Sequence, residues 1–190
     1  MFSWEELTAV LAGFYRSMDS VYTQKALQAG FSCQGCDGVK CCTVDLTLHS
    51  FMEMFYLKLG CRSLNQAVKT EIGRRCRAVL TAKREDPFGK AYRNSVCVLN
   101  LEGQCSVYKY RPMICRLAGI RHVIVRPDGS RVTGPGCSRF EHEVGDDHPL
   151  LCIDRTSYYG EMADLEMNVV RVSGQRTRPR TVSETLEEFM

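Results

Sequence analysis

Cys33-x2-Cys36-x4-Cys41-Cys42 places four cysteines within ten residues, and Cys97, Cys105, Cys115 and Cys137 add four more downstream. The first cluster contains no histidine. Thiolates gathered in this way either ligate a metal or pair as disulfides. A total of eleven cysteines is odd and fits a closed disulfide set badly. The opening residues, Met1-Phe2-Ser3-Trp4-Glu5-Glu6, lack the basic stretch of a secretory signal. A cytoplasmic setting, where thiols stay reduced, is therefore expected, and metal ligation is the chemistry the pattern favours.

A C-x2-C turn lets two sulfurs converge on one ion, and glycine in or after it relieves the backbone and frees N–H groups for sulfur. Gly35 and Gly38 meet that need. The neighbours Cys41 and Cys42 tend to point apart. One is expected to join Cys33 and Cys36, and the other to serve a second site or pack in the core. Eight sulfurs suffice for one or two tetrathiolate centres. All-sulfur ligation suits an iron–sulfur cluster or structural zinc, and does not suit magnesium or calcium. The spacing matches neither the bacterial ferredoxin run nor a simple zinc ribbon. Ligand softness tilts the expectation to iron–sulfur, while the knuckle-like Cys33-Gln34-Gly35-Cys36-Asp37-Gly38 keeps zinc in view. Cations lower thiolate pKa and offset the negative charge of a metal–thiolate centre. Arg111 and Arg116 flank Cys115, and Lys40 precedes Cys41. The competing reading of Arg111 is a buried arginine paired with an acid such as Glu102.

The combined pattern adds Tyr108-x2-Arg111-Pro112-x2-Cys115-Arg116 and the late Cys137 to the two cysteine groups. It resembles the bacterial CxxCxxCC cysteine-cluster family, described as a zinc- or iron-chelating domain. This chain has four residues between Cys36 and Cys41 where the family motif has two. The resemblance spans about residues 31–140. It implies a cytoplasmic metal-binding domain with Cys33, Cys36, Cys41, Cys42, Cys97, Cys105, Cys115 and Cys137 as ligands. It also implies that Tyr108, Arg111 and Arg116 lie beside the cofactor, a [4Fe-4S] cluster or zinc. A larger relative, the flagellin lysine N-methylase, carries a similar cluster. This chain lacks the length for that enzyme's further parts, so its activity is not carried over. An accessory or catalytic role beside another protein stays open.

Elements must position these residues. Ser3-x2-Glu6 has the form of a capping box, and Leu7, Val10, Leu11, Phe14, Met18 and Val21 follow at helical spacing up to Gly30. A second helix is predicted over Leu46–Leu59. A third follows, capped by Ser63-x2-Gln66, with Leu64, Val68, Ile72, Cys76 and Val79 on its apolar face. Residues 95–101 are β-prone, and Arg121–Val125 with Ser130–Thr133 reads as a hairpin around Pro127-Asp128-Gly129. A last helix is predicted from Asp154 to about Val170. Residues 171–190, rich in arginine, read as a flexible basic tail with a short terminal turn. The fold expected is mainly α with a small irregular β and loop core carrying the cysteines, as a single metal-binding domain over residues 1–170.

The remaining features exclude more than they suggest. A length of 190 residues with 44% hydrophobic and 25% charged residues describes an ordinary folded domain that needs no staples. A net charge of +3 is too mild to imply nucleic acid. No apolar run is long enough to predict a membrane span. Cys61, Cys76 and Cys152 read as small buried hydrophobes. Glu141-His142-Glu143 and Asp146-Asp147-His148 read as solvated loop, and His49 and His122 have no evident partner. No phosphate loop, dinucleotide fingerprint or nucleophile–base pattern is present, so nothing positive points to an enzyme. A protein partner is possible and unidentified.

Overall fold

Ser3 starts the first helix as its spacing predicts. Its hydroxyl accepts from the Glu6 N–H at 3.2 Å, and the Glu6 carboxylate accepts from the Ser3 N–H at 2.6 Å. The computed structural model describes residues 3–33, 42, 47–145, 151–174 and 178–187. Among them the chain runs α1 (Trp4–Gln28), α2 (Phe51–Arg62), α3 (Gln66–Glu85), α4 (Lys90–Arg93), β1 (Asn100–Leu101) and β2 (Gln104–Cys105). A 3-10 turn, η1 (Tyr108–Tyr110), and α5 (Met113–Arg116) follow. The order then continues through β3 (His122–Val125), β4 (Arg131–Gly134), α6 (Ser138–Val144), β5 (Ile153–Asp154), α7 (Thr156–Ser173) and α8 (Val182–Leu186). The protein is mainly helical with small sheets, α+β in character, as expected. Among the described residues, no helix is long and apolar enough to cross a membrane.

Where the sequence suggests one body and a tail, the chain divides into two compact units, each built from two separate stretches. The first is Met1–Cys36 with Met113–Gln175; the second is Asp37–Pro112 with Arg176–Met190.

In the first unit α1 buries Leu7, Leu11, Tyr15, Met18 and Ala26. That face is rotated from the predicted one: Val10 stays exposed and Tyr15 takes a core position. The predicted hairpin forms, with His122 opposite Gly134 and Val125 opposite Arg131. Gly129, at φ +81°, makes the turn at low steric cost. The short β5 pairs parallel to β3, a strand too brief to leave a period in the sequence. Tyr158, Met162, Leu165 and Val169 form the buried stripe of α7 at the predicted spacing. Glu141-His142-Glu143, predicted as solvated loop, lies instead in α6, because Phe140 and Val144 give that helix an apolar face; Asp146-Asp147-His148 lies outside the described residues. Glu141 forms an ion pair with Arg121.

In the second unit α2, α3 and α8 enclose a core that includes Leu57, Ile72, Leu99, Val182 and Leu186. Burying a leucine such as Leu57 fully stabilises by about 2 kcal/mol. The α2 helix begins at Phe51, later than predicted, because Ser50 and Glu53 form its capping box. It also continues past Leu59, the predicted end, through Gly60. A Cβ there would lie 2.5 Å from the Tyr110 ring, so the glycine is required by close packing. The α3 cap is Asn65, whose side chain accepts from the Val68 N–H at 2.9 Å. The predicted cap, Ser63, instead closes the helix before it by donating to the Gly60 carbonyl at 2.8 Å.

The expected flexible tail also needs correction over residues 178–187. Arg180 and His49 exchange backbone hydrogen bonds of 2.9 and 3.1 Å. Thr181 caps α8 in a capping box with Glu184, and Val182 and Leu186 enter the core. The arginines of this stretch hid that short apolar face.

Candidate metal centre

Gly119 lies beside two cysteines of the first unit, Cys33 and Cys137. The Cys137 N–H donates to the Gly119 carbonyl at 2.8 Å. A Cβ on Gly119 would stand 3.8 Å from the Cys33 sulfur and 2.7 Å from the Tyr22 hydroxyl. The Gly119 backbone adopts φ +107°, which glycine tolerates and L side chains rarely do. Cys137, bonded to Gly119, and the Cys33 sulfur, close beside it, are thus brought to one glycine although far apart in sequence. The Tyr22 hydroxyl lies 3.2 Å from the Cys33 sulfur. The Cys137 sulfur caps α6 by accepting from the Phe140 N–H at 3.4 Å.

Cys115 lies exposed on α5. Its neighbour Arg116 is buried, pairs with Asp19 at 2.5 Å and lies 4.1 Å over the Tyr15 ring. Asp19 is on α1, so this arginine fixes the cysteine-bearing turn to the longest helix of the unit.

In the second unit the Cys97 N–H donates to the Cys42 carbonyl at 2.6 Å. The Cys97 carbonyl accepts from the Asn100 N–H at 2.9 Å, and Asn100 pairs with Cys105 across the β1–β2 hairpin. Glu102 and Gly103 form its two-residue loop, both with positive φ, which matches the twist of paired strands. Arg75 donates to the Asn100 carbonyl at 2.6 Å and brings a positive charge to this hairpin. Backbone bonds therefore tie Cys42, Cys97 and Cys105 to one small structure.

Arg111 lies with its guanidinium carbon 3.7 Å from the Tyr108 ring centre, and donates to the Tyr108 carbonyl at 3.1 Å. Cation–π packing joins these two predicted residues. Glu102 is exposed at the hairpin tip, and Arg111 does not pair with it. Cys36 and Cys41 lie outside the described residues, as do Gly35, Gly38 and Lys40.

The cysteines beyond the motif differ in setting. Cys61 and Cys76 are fully buried in the second unit's core, as predicted. Burial, with a smaller contribution from Cys105 and against the lowering effect of the Lys69 charge, pushes the Cys61 thiol up to about 12. Cys152 is only half-buried. His49 is not partnerless: its Nδ1 stands 4.0 Å from Glu53, and burial lowers its pKa to about 4. Burial and the Arg155 charge also lower the pKa of His122, whose ring covers Gly134.

Among the described residues there is no disulfide, and no three His, Cys, Asp or Glu side chains converge closely enough to enclose an ion. Tyr22, Asp19 and Gly119 are the contributors that sequence reasoning missed. Tyr22 and Asp19 lack a local motif, and Gly119 is one of fifteen glycines. Comparison with family models, with curated proteins and with solved structures returns no match.

Proposed function

We propose that this chain binds a soft metal centre through cysteine thiolates, as an iron–sulfur cluster with a redox, sensing or assembly role. The observation that carries the reading is how the described cysteines are sorted. The six described motif cysteines, Cys33, Cys42, Cys97, Cys105, Cys115 and Cys137, are all exposed or half-buried. They occupy loops, the end of a two-residue strand or a four-residue helix. Of the three cysteines outside the motif, Cys61 and Cys76 are sealed in the core and Cys152 is half-buried. Reachable sulfurs on short, tightly bonded backbone suit ligation, whereas buried thiols stay protonated and inert.

The likeness to the CxxCxxCC family supports the same reading, and its larger methylase relative keeps an accessory or catalytic role as a subsidiary proposal. The knuckle-like sequence at residues 33–38 favours a second reading, a zinc-stabilised adaptor that binds a protein partner. Zinc would hold the fold without redox chemistry, and an iron–sulfur cluster would add electron transfer. In the second unit Tyr108 and Arg111 supply a stacked cation, and in the first unit Arg116, held by Asp19, supplies another.

Serine replacement tests the sorting. Joint replacement of Cys33, Cys97 and Cys115 is expected to abolish metal retention. Joint replacement of Cys61 and Cys76 by alanine is expected to spare it at the cost of stability. Full metal retention in the first variant would reject the proposal.

A further inference from the structure

The Gly119 junction has consequences beyond metal binding in general. Two sulfur-bearing residues meet there, and a hydroxyl stands against one of them. The Cys33 sulfur and the Tyr22 oxygen are 3.2 Å apart, a hydrogen-bonding distance for sulfur. A Cβ on Gly119 would come within 2.7 Å of the same oxygen. Only a residue without a side chain leaves the hydroxyl in place. The Gly119 carbonyl holds the Cys137 N–H at 2.8 Å. Gly136, just before Cys137, is equally constrained: a Cβ there would lie 2.6 Å from the Gly119 oxygen. The Gly136 N–H donates to Glu141 at 2.6 Å, and Glu141 is ion-paired with Arg121. The backbone carrying Cys137 is therefore held on both sides.

We infer that Cys33 and Cys137 are ligands of the same metal centre, and that the Tyr22 hydroxyl donates a hydrogen bond to the Cys33 sulfur. The inference rests on the thiolate-ligation reading above and specifies which sulfurs share a centre. A ligating sulfur has lost its proton, so Tyr22 must be the donor. A hydrogen bond to a ligating thiolate draws electron density from the sulfur and reduces its nucleophilicity. Tyr22 is thus a positioning and tuning residue, acting through Cys33.

Cobalt(II) is a suitable probe because its thiolate charge-transfer absorption reports the sulfurs directly. The full chain would be stripped of metal under reducing conditions and titrated with cobalt(II). Cys33→Ser and Cys137→Ser should each lower the bound cobalt by the same amount, and the double variant should lose no more than either alone. Additive losses would overturn the shared centre. Tyr22→Phe should keep the wild-type cobalt count, shift the charge-transfer band to longer wavelength and speed alkylation of the metal-bound sulfur severalfold. A merely structural tyrosine would leave the band in place, which would overturn the donor role. Circular dichroism of each variant separates ligand loss from unfolding, and Cys33→Ala and Cys137→Ala provide a second pair. Failure of the wild-type chain to bind cobalt would overturn both this inference and the ligation proposal. Equal cobalt spectra in wild type and Tyr22→Phe would overturn the donor role alone.

Discussion

Asp19 and Arg116 form an ion pair of 2.5 Å in which the arginine is 3% exposed and the carboxylate 40%. The asymmetry matters. Asp19 can turn to water, but Arg116 sits against Tyr15 with its charge out of solvent. Removing one partner of a pair is costly when the charge left behind is buried. Asp19→Ala is therefore expected to destabilise the fold by about 3 kcal/mol. Arg116→Met, which keeps apolar bulk on Tyr15, should cost only about 1 kcal/mol. Urea unfolding of both variants checks the order; an Arg116→Met cost above that of Asp19→Ala would reject this account.

Gly60 offers a packing test in the second unit. Alanine there would drive a methyl group into the Tyr110 ring, with contacts of 2.5 Å at Cδ2 and Cγ. Overpacking of this kind typically costs about 1–3 kcal/mol. Gly60→Ala should lower the melting temperature although alanine is the better helix former. Combining it with Tyr110→Leu should recover part of the loss. A more stable Gly60→Ala protein would mean that the helix and the ring are not packed as described.

His49 sets a pH dependence. Burial lowers its pKa from the ordinary 6.5 to about 4. Between those values the unfolded chain holds the proton and the folded chain does not, so protons favour unfolding. The stabilisation is complete above 6.5 and declines as the pH falls toward 4. A shift of this size corresponds to at most about 3 kcal/mol. Glu53, at 4.0 Å, would attract a protonated imidazole, but burial outweighs it. Urea unfolding from pH 7 to pH 4.5 should show stability falling with pH, and His49→Gln should flatten that slope. An unchanged slope would place the proton uptake elsewhere.

Much of the scaffold was legible because its signals are local. Ser3 and Glu6 announce α1, the Pro127-Asp128-Gly129 turn announces its hairpin, and the stripe on α7 lies at the predicted positions. Cys61 and Cys76 were also rightly placed in the core. The elements missed are those stabilised by distant contacts. The α8 helix has one apolar turn inside an arginine-rich stretch, and the exchange of Arg180, just before it, with His49 crosses most of the sequence. In α6, Phe140 and Val144 outweigh the acidic and histidine residues between them. The continuation of α2 through Gly60 depends on Tyr110, fifty positions on. The candidate site follows the same division. Cysteine spacing is visible in one dimension, so the ligand set could be proposed from sequence. Tyr22 looks like any aromatic on a helix, and only folding brings it to Cys33.

A metal bound as proposed would have mechanical consequences. Where binding creates the site, its free energy adds to folding. Stripping metal from the purified protein with a chelator should lower the melting temperature, and restoring it should reverse the change. An unchanged melting temperature after confirmed metal removal would argue that the centre is not structural.

The central claim is that the motif cysteines hold a soft metal, as an iron–sulfur cluster. The most direct measurement is to purify the full chain without oxygen, record its visible absorption, and count iron, zinc and acid-labile sulfide. The account predicts a coloured protein with iron and labile sulfide in near-equal amounts. A colourless protein carrying zinc would shift the assignment to the adaptor, and a protein with neither metal would contradict thiolate ligation itself.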